Sequence, residues 1–232
     1  MNEIFENIKS VKQKIAKAAI SVGRAPEEIT LVAATKMNDA DRVKQAVEGG
    51  IDVAGENRVQ ELMDKYEKGA YEGVPLHFIG TLQTNKVKYL VGKVDLIQSV
   101  DSVKLAKEIS RVATKHGICQ DILVEINIGG EESKSGISPS ELEEIIEEIS
   151  KMENIRVRGL MTIPPILSAE AKNEPYFRKM KELFVDISEK KYDNISMDIL
   201  SMGMSSDFEE AIRCGATMVR VGTGIFGARH YS

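Results

Sequence analysis

The sequence predicts an α/β chain folded as a single (β/α)8 barrel. Short β-branched apolar runs alternate with longer amphipathic segments eight times along 232 residues, and glycine-rich segments follow the last two of these runs. Such alternation is how a parallel sheet covered by helices reads. Eight units in this length favour closure, which leaves no unpaired edge strand. A doubly wound open sheet is the alternative, but the GxGxxG segment expected after its first strand is absent. Barrels often bind phosphate after their last two strands, where the glycines lie here.

The elements follow in order. Residues 1–24 carry Ile4, Ile8, Val11 and Ile15 at helical spacing, predicting an amphipathic helix packed on the barrel. Strands are predicted at 29–35 (ITLVAAT), 52–55 (DVAG), 76–79 (LHFI), 96–99 (LIQS), 122–127 (ILVEIN), 157–161 (VRGLM), 197–200 (MDIL) and 218–221 (MVRV). Helices are predicted at 39–48, 58–67, 85–91, 102–115, 140–151, 176–190 and 206–214. The acidic segment ELEEIIEEIS reads as a solvated helix face with an Ile stripe turned inward. No Pro-, Gly- or Ser-rich linker interrupts the pattern, so residues 1–232 read as one domain; Pro164–Pro165 and 166–174 read as a mobile loop.

Composition narrows the function. Hydrophobic residues make up 42% of the chain, enough for one large core. A formal net charge of −5 argues against affinity built on neutralising a nucleic-acid backbone. The N-terminus lacks a secretory apolar stretch and no run is long enough to span a bilayer, which predicts a cytoplasmic protein without a membrane partner. Two cysteines without metal-binding spacing read as reduced, buried thiols, and three scattered histidines make a metal site improbable.

Polar residues gather where the predicted strands end: Lys36, Glu56 and Asn57, Asn127, Met161–Thr162, Ser201, and Gly222–Thr223. In a barrel these ends converge on one mouth. Lys36 follows a buried run, and a partly desolvated lysine there becomes a nucleophile toward an aldehyde; on that residue alone a solvated lysine at a loop start explains the sequence better. Ser201, Gly203, Ser205 and Ser206 offer hydroxyls and approachable amides, with Ser205 or Ser206 able to cap the next helix. Gly222, Thr223 and Gly224 offer a second set, so two loops can cradle one phosphate. Arg220 needs a partner inside its strand, either a structural ion pair, which the residues alone slightly favour, or a ligand nitrogen or phosphate. His77 reads as core or as support behind the site, with Gln83, Asn85 and Lys86 near the same mouth, and Lys134 in GGEESKSG is either anion-accessible or part of a solvated turn.

Taken in order, VAATK ending at Lys36, GENRVQE from Gly55, HFIGTLQTNK from His77, VEIN…GEESKSG, RGLMTI around Met161, LSMGMSSDFEEAI from Leu200 and VRVGTGIFGAR resemble the YggS/PROSC family, the pyridoxal phosphate homeostasis proteins. The resemblance covers nearly the whole chain. It implies a TIM barrel of the pyridoxal 5'-phosphate (PLP) fold type III, similar to the barrel of alanine racemase but without that enzyme's C-terminal β domain. It implies PLP held by Lys36 as a Schiff base, a phosphate site including Ser201, Gly222 and Thr223, Arg220 facing the pyridine nitrogen, Asn57 and Met202–Gly203–Met204 against the cofactor, and His77 and Met161 behind it. With no acid–base partner visible opposite Lys36, it implies a monomeric PLP carrier that serves PLP-dependent apo-enzymes; a racemase-like enzyme acting on an amino acid is the alternative.

Overall fold

In the computed structural model, residues 2–131, 133–165 and 172–227 are described below. The 166–171 part of the expected mobile loop and the final Ala228–Arg229 of the last motif lie outside them. Eight strands, each paired in parallel with the next, close on one another: β1 (Thr30–Ala34), β2 (Val53–Glu56), β3 (Leu76–Phe78), β4 (Leu96–Val100), β5 (Gln120–Ile126), β6 (Ile155–Thr162), β7 (Ile195–Ser201) and β8 (Met218–Val221). β8 pairs back onto β1, with Val32 opposite Arg220.

Strand alternation divides the apolar residues between two cores. Inward positions fill the lumen with Val32, Val53, Leu96, Leu123, Met161 and Met218. Outward positions such as Leu31, Ala33, Ile97, Ile122 and Val219 join the larger core beneath the helices. Those helices are α1 (Glu3–Ile20), α2 (Ala40–Glu48), α3 (Val59–Glu67), α4 (Val103–His116), α5 (Leu142–Ser150), α6 (Glu174–Ser188), α7 (Phe208–Arg213) and α8 (Thr223–Phe226). Their limits follow local chemistry: Asp39 caps α2 through the Arg42 N–H, Ser102 caps α4, and Gly117 ends α4 in the left-handed region. α1 buries Ile4, Ile8, Val11 and Ile15 and packs against α2, α7 and α8.

Several expectations need correction. The helix expected at 85–91 is a 3-10 helix, Thr84–Tyr89, with Val87 buried inside it and Leu90 and Val91 buried just beyond. Neither Ser205 nor Ser206 caps α7; Asp207 takes the position before it and accepts from the Met204 N–H. Cys119 is exposed and Cys214 half-buried, so the thiols are not both core residues. The segment after β5 is tied at its base, where Asn127 donates to the Glu131 carbonyl and accepts from its N–H. Among the described residues, no helix is long and apolar enough to cross a membrane, and no cluster of His, Cys, Asp and Glu could hold a metal.

The two barrel ends differ. The end where the strands begin is laced by ion pairs, Asp121 with Arg156 at 2.7 Å and Arg158 at 2.8 Å, and Asp198 with Arg158 at 2.9 Å. The opposite end carries the polar residues singled out in the sequence.

Candidate functional site at the barrel mouth

At the strand ends a cavity of about 300 Å³ is lined by Ala34, Lys36, Arg42, Gly222 and Thr223, among others. Lys36 reaches it because β1 alternates: Val32 and Ala34 share its face, whereas Ala33 and Thr35 turn toward the helices. Behind the Gly222 that lines this cavity, the Gly222 and Gly224 N–H groups each donate to the Ser205 hydroxyl at 3.2 Å. The two amides converge on one oxygen, as they would on an oxygen of an anion, with Thr223 beside them. Arg42, named by no sequence motif, adds a cation at the edge, fixed by the Phe226 carbonyl and by Asn38.

Ser201 lies deeper than these amides. Its hydroxyl accepts from Arg220 and donates to Gln98 Oε1 at 2.7 Å. Arg220 is buried and its other terminal nitrogen donates to the Thr162 carbonyl at 2.7 Å. Its direct partners are thus neutral oxygens rather than the carboxylate of a structural ion pair. The direction of the chain follows from arginine being a donor only. Arg220 donates to Ser201, so Ser201 must donate to Gln98 Oε1, and the Gln98 amide then donates to His77 Nδ1 at 3.0 Å. His77 consequently carries its proton on Nε2. Burial lowers its pKa to about 4, against an opposing pull from Asp95, so a neutral ring is the form present near pH 7.

Glu125, on the lumen face of β5, is the carboxylate that acts most strongly on Arg220. Burial raises its pKa to about 7, Asp101 adds to the rise, and Arg220 opposes it. Burial also lowers Arg220 to about 10, with Glu125 and Asp207 opposing, which still leaves the guanidinium charged near neutrality.

The remaining predicted residues divide. Met161 is fully buried in the lumen core. Met202 is buried in the outer core, and Gly203 lies so close to Phe208 and Ala211 of α7 that a Cβ there would meet the Ala211 Cβ at 2.6 Å. Met204 is half-buried and leads into Ser205. Asn57 is half-buried at the end of β2, and its Oδ1 has no hydrogen-bond partner. Gly80 holds the Asn57 turn by close approach, since a Cβ on it would stand 2.1 Å from the Asn57 carbonyl oxygen. Lys134 pairs with Glu131 and donates to the Pro164 carbonyl at 3.2 Å. Sequence reasoning missed Gln98 and Glu125 as members of the floor, although both are polar residues at inward positions of otherwise apolar strands.

The fold and this site define a (β/α)8 barrel with an amine and two converging backbone amides at its mouth and a buried arginine in its floor. The alanine racemase N-terminal domain model matches residues 2–230. A pyridoxal phosphate homeostasis protein from Aquifex aeolicus is 46% identical over 226 residues, covering 97% of this chain and 98% of that one. The structure of PipY from Synechococcus elongatus with PLP bound has a TM-score of 0.79 at 31% identity, over 92% of this chain and 100% of that chain. An alanine racemase from Clostridium difficile, 16% identical with a TM-score of 0.70, shares the fold over 95% of this chain and 57% of its own. The chain belongs to the alanine racemase N-terminal domain family and, within it, to the pyridoxal phosphate homeostasis proteins.

Proposed function

We propose that this chain binds PLP at the barrel mouth through Lys36 and serves PLP homeostasis, holding the cofactor and releasing it to PLP-dependent apo-enzymes in the cytoplasm. The observation that carries the reading is the convergence of Lys36, Gly222 and Thr223 on one cavity, with the amides that meet at Ser205 alongside. A phosphorylated pyridine aldehyde needs an amine, an anion site and a polar contact for its ring. The residues fit that need, and the unpartnered Asn57 Oδ1 leaves one further polar atom for a ligand. When bound, the cofactor would supply an electrophilic aldehyde, and Lys36 is the residue whose amine would hold it, with release of one water.

The chain's own residues then have distinct tasks. The Gly222 and Gly224 amides, Ser205 and Thr223 receive the phosphate. Arg220, protonated near neutral pH, would offer a ring nitrogen a hydrogen bond without giving up its proton, a contact that would leave the ring a weak electron sink. The Ser201–Gln98–His77 chain holds the guanidinium in that orientation. This arrangement suits retention better than turnover, and a monomer suffices for it.

The test is absorbance with and without borohydride, followed by peptide mapping, on the wild type and Lys36→Ala. The expected result is a visible band lost on reduction, pyridoxyl mass on the Lys36 peptide, and neither in the variant, with the fold retained. Pyridoxyl mass on another lysine would overturn the assignment, and amino-acid racemisation at an enzymatic rate would replace the carrier with an enzyme.

A further inference from the structure

We infer that Glu56, Lys65 and Glu61 form a buried clamp that positions Lys36 by gripping the backbone on both sides of it. The inference rests on Lys36 being the attachment point proposed above. Lys65, on α3, is almost wholly buried and donates to Glu56 Oε2 at 2.6 Å and to the Thr35 carbonyl at 2.8 Å. Its ammonium also lies 3.4 Å from Glu61 Oε2, one turn earlier on the same helix face. That Glu61 oxygen accepts the Met37 N–H at 2.8 Å. The residues before and after Lys36 are therefore tied, by opposite charges, to one helix.

Glu56 completes the arrangement. Its Oε2 accepts the Thr35 hydroxyl at 2.9 Å, and its Oε1 accepts the Asn57 N–H at 2.8 Å. The Tyr71 hydroxyl closes the buried side at 3.4 Å. The network thus fixes the mouth ends of β1 and β2 together. Met37 shows what the grip accomplishes: it stands at φ 62°, in the left-handed region that a non-glycine side chain rarely adopts. Burial pushes the Glu61 carboxyl up, and the Met37 N–H together with Lys65 more than reverses this, leaving it below the usual range and ionised at neutral pH.

A buried ion pair is seldom more stable than apolar packing of the same volume. A network needed only to anchor α3 would not have to end on the Thr35, Met37 and Asn57 backbone. These contacts also give the GENRVQE segment a physical role, since Glu56 and Glu61 lie within it.

Glu61 is partly exposed, so Glu61→Ala can release Met37 without opening the core. Glu61→Gln keeps an oxygen able to accept the same N–H. The experiment compares wild type and both variants by thermal melts and Met37 amide hydrogen exchange without cofactor, then by PLP titration with borohydride trapping and peptide mapping. In Glu61→Ala, Met37 exchange should accelerate and half-saturation at Lys36 should rise about tenfold, the scale of one lost charge-assisted hydrogen bond. The cofactor-free melt should move little, and Glu61→Gln should return half-saturation to within about threefold of wild type. Wild-type half-saturation in Glu61→Ala, with Met37 exchange accelerated, would sink the clamp alone. A wild type that traps no label on Lys36 would sink the functional reading, and the clamp would fall with it.

Discussion

At the scale of single residues, Ser201 and Ser205 divide the work that one serine is expected to do. Ser201 is wholly buried and joins a charged donor to an amide acceptor, so its hydroxyl is committed in both directions. Ser205 accepts from two glycine amides, of which Gly222 lines the cavity. Removing the first hydroxyl leaves an arginine N–H and a glutamine oxygen without partners in the lumen. Ser201→Ala should therefore destabilise the cofactor-free protein by about 1–3 kcal/mol, the cost of stranding buried polar groups. Ser205→Ala, at a wetter site, should leave the denaturation midpoint nearly unchanged while weakening PLP and free phosphate alike. Urea denaturation and phosphate competition distinguish the two, and a reversal of roles would place the phosphate on Ser201.

At the scale of elements, the path of β6 decides where the floor sits. The β6 register shifts against both β5 and β7 near Gly159, which adopts φ 149°. A Cβ at that position would stand 1.8 Å from the Ile199 carbonyl oxygen, so only glycine allows β7 to approach this closely. Beyond the shift come Met161, in the lumen core, and Thr162, whose carbonyl receives Arg220. Gly159→Ala should force the two strands apart and cost more than about 2 kcal/mol, measurable by chemical denaturation, with poorer PLP retention as a second effect. The strands themselves were legible because two-sided burial makes them continuous apolar runs, as in ILVEIN and ITLVAAT. The mouth was legible because residues at strand ends share one face of a barrel, which brought out Lys36, Asn57, Gly222 and Thr223. The floor was not, since Ser201 and Gln98 are 103 residues apart and meet only because closure and stagger bring β4 and β7 side chains to one level. The Lys65 clamp was hidden for a related reason: a lysine on an amphipathic helix normally reads as solvated, and only its placement behind Thr35 shows it buried.

At the scale of the whole molecule, burying Glu125 and Arg220 in one lumen couples folding to pH. An unfolded glutamate titrates near pH ~4.3. In the folded barrel, burial first, then Asp101, raise Glu125 to about 7 despite the pull of Arg220. Between those values the folded chain binds more protons than the unfolded one, so this group's contribution to stability is complete below pH ~4.3 and is lost as pH rises toward 7. A shift of this size corresponds to roughly 3 kcal/mol between the two ends of the window. Arg220 remains charged throughout, because burial lowers it only to about 10. The lumen therefore changes from one unpaired cation to a cation facing an anion as Glu125 ionises. Glu125→Gln holds the neutral form at every pH. It should match the wild type near pH 4 and exceed its stability increasingly toward pH 8, as read from urea midpoints at both values. Parallel curves for the two proteins would mean that Glu125 is ionised across the range and paired with Arg220 from the start. Divergence in the expected direction would mean that the floor beneath the proposed PLP site carries a proton exchangeable near neutral pH.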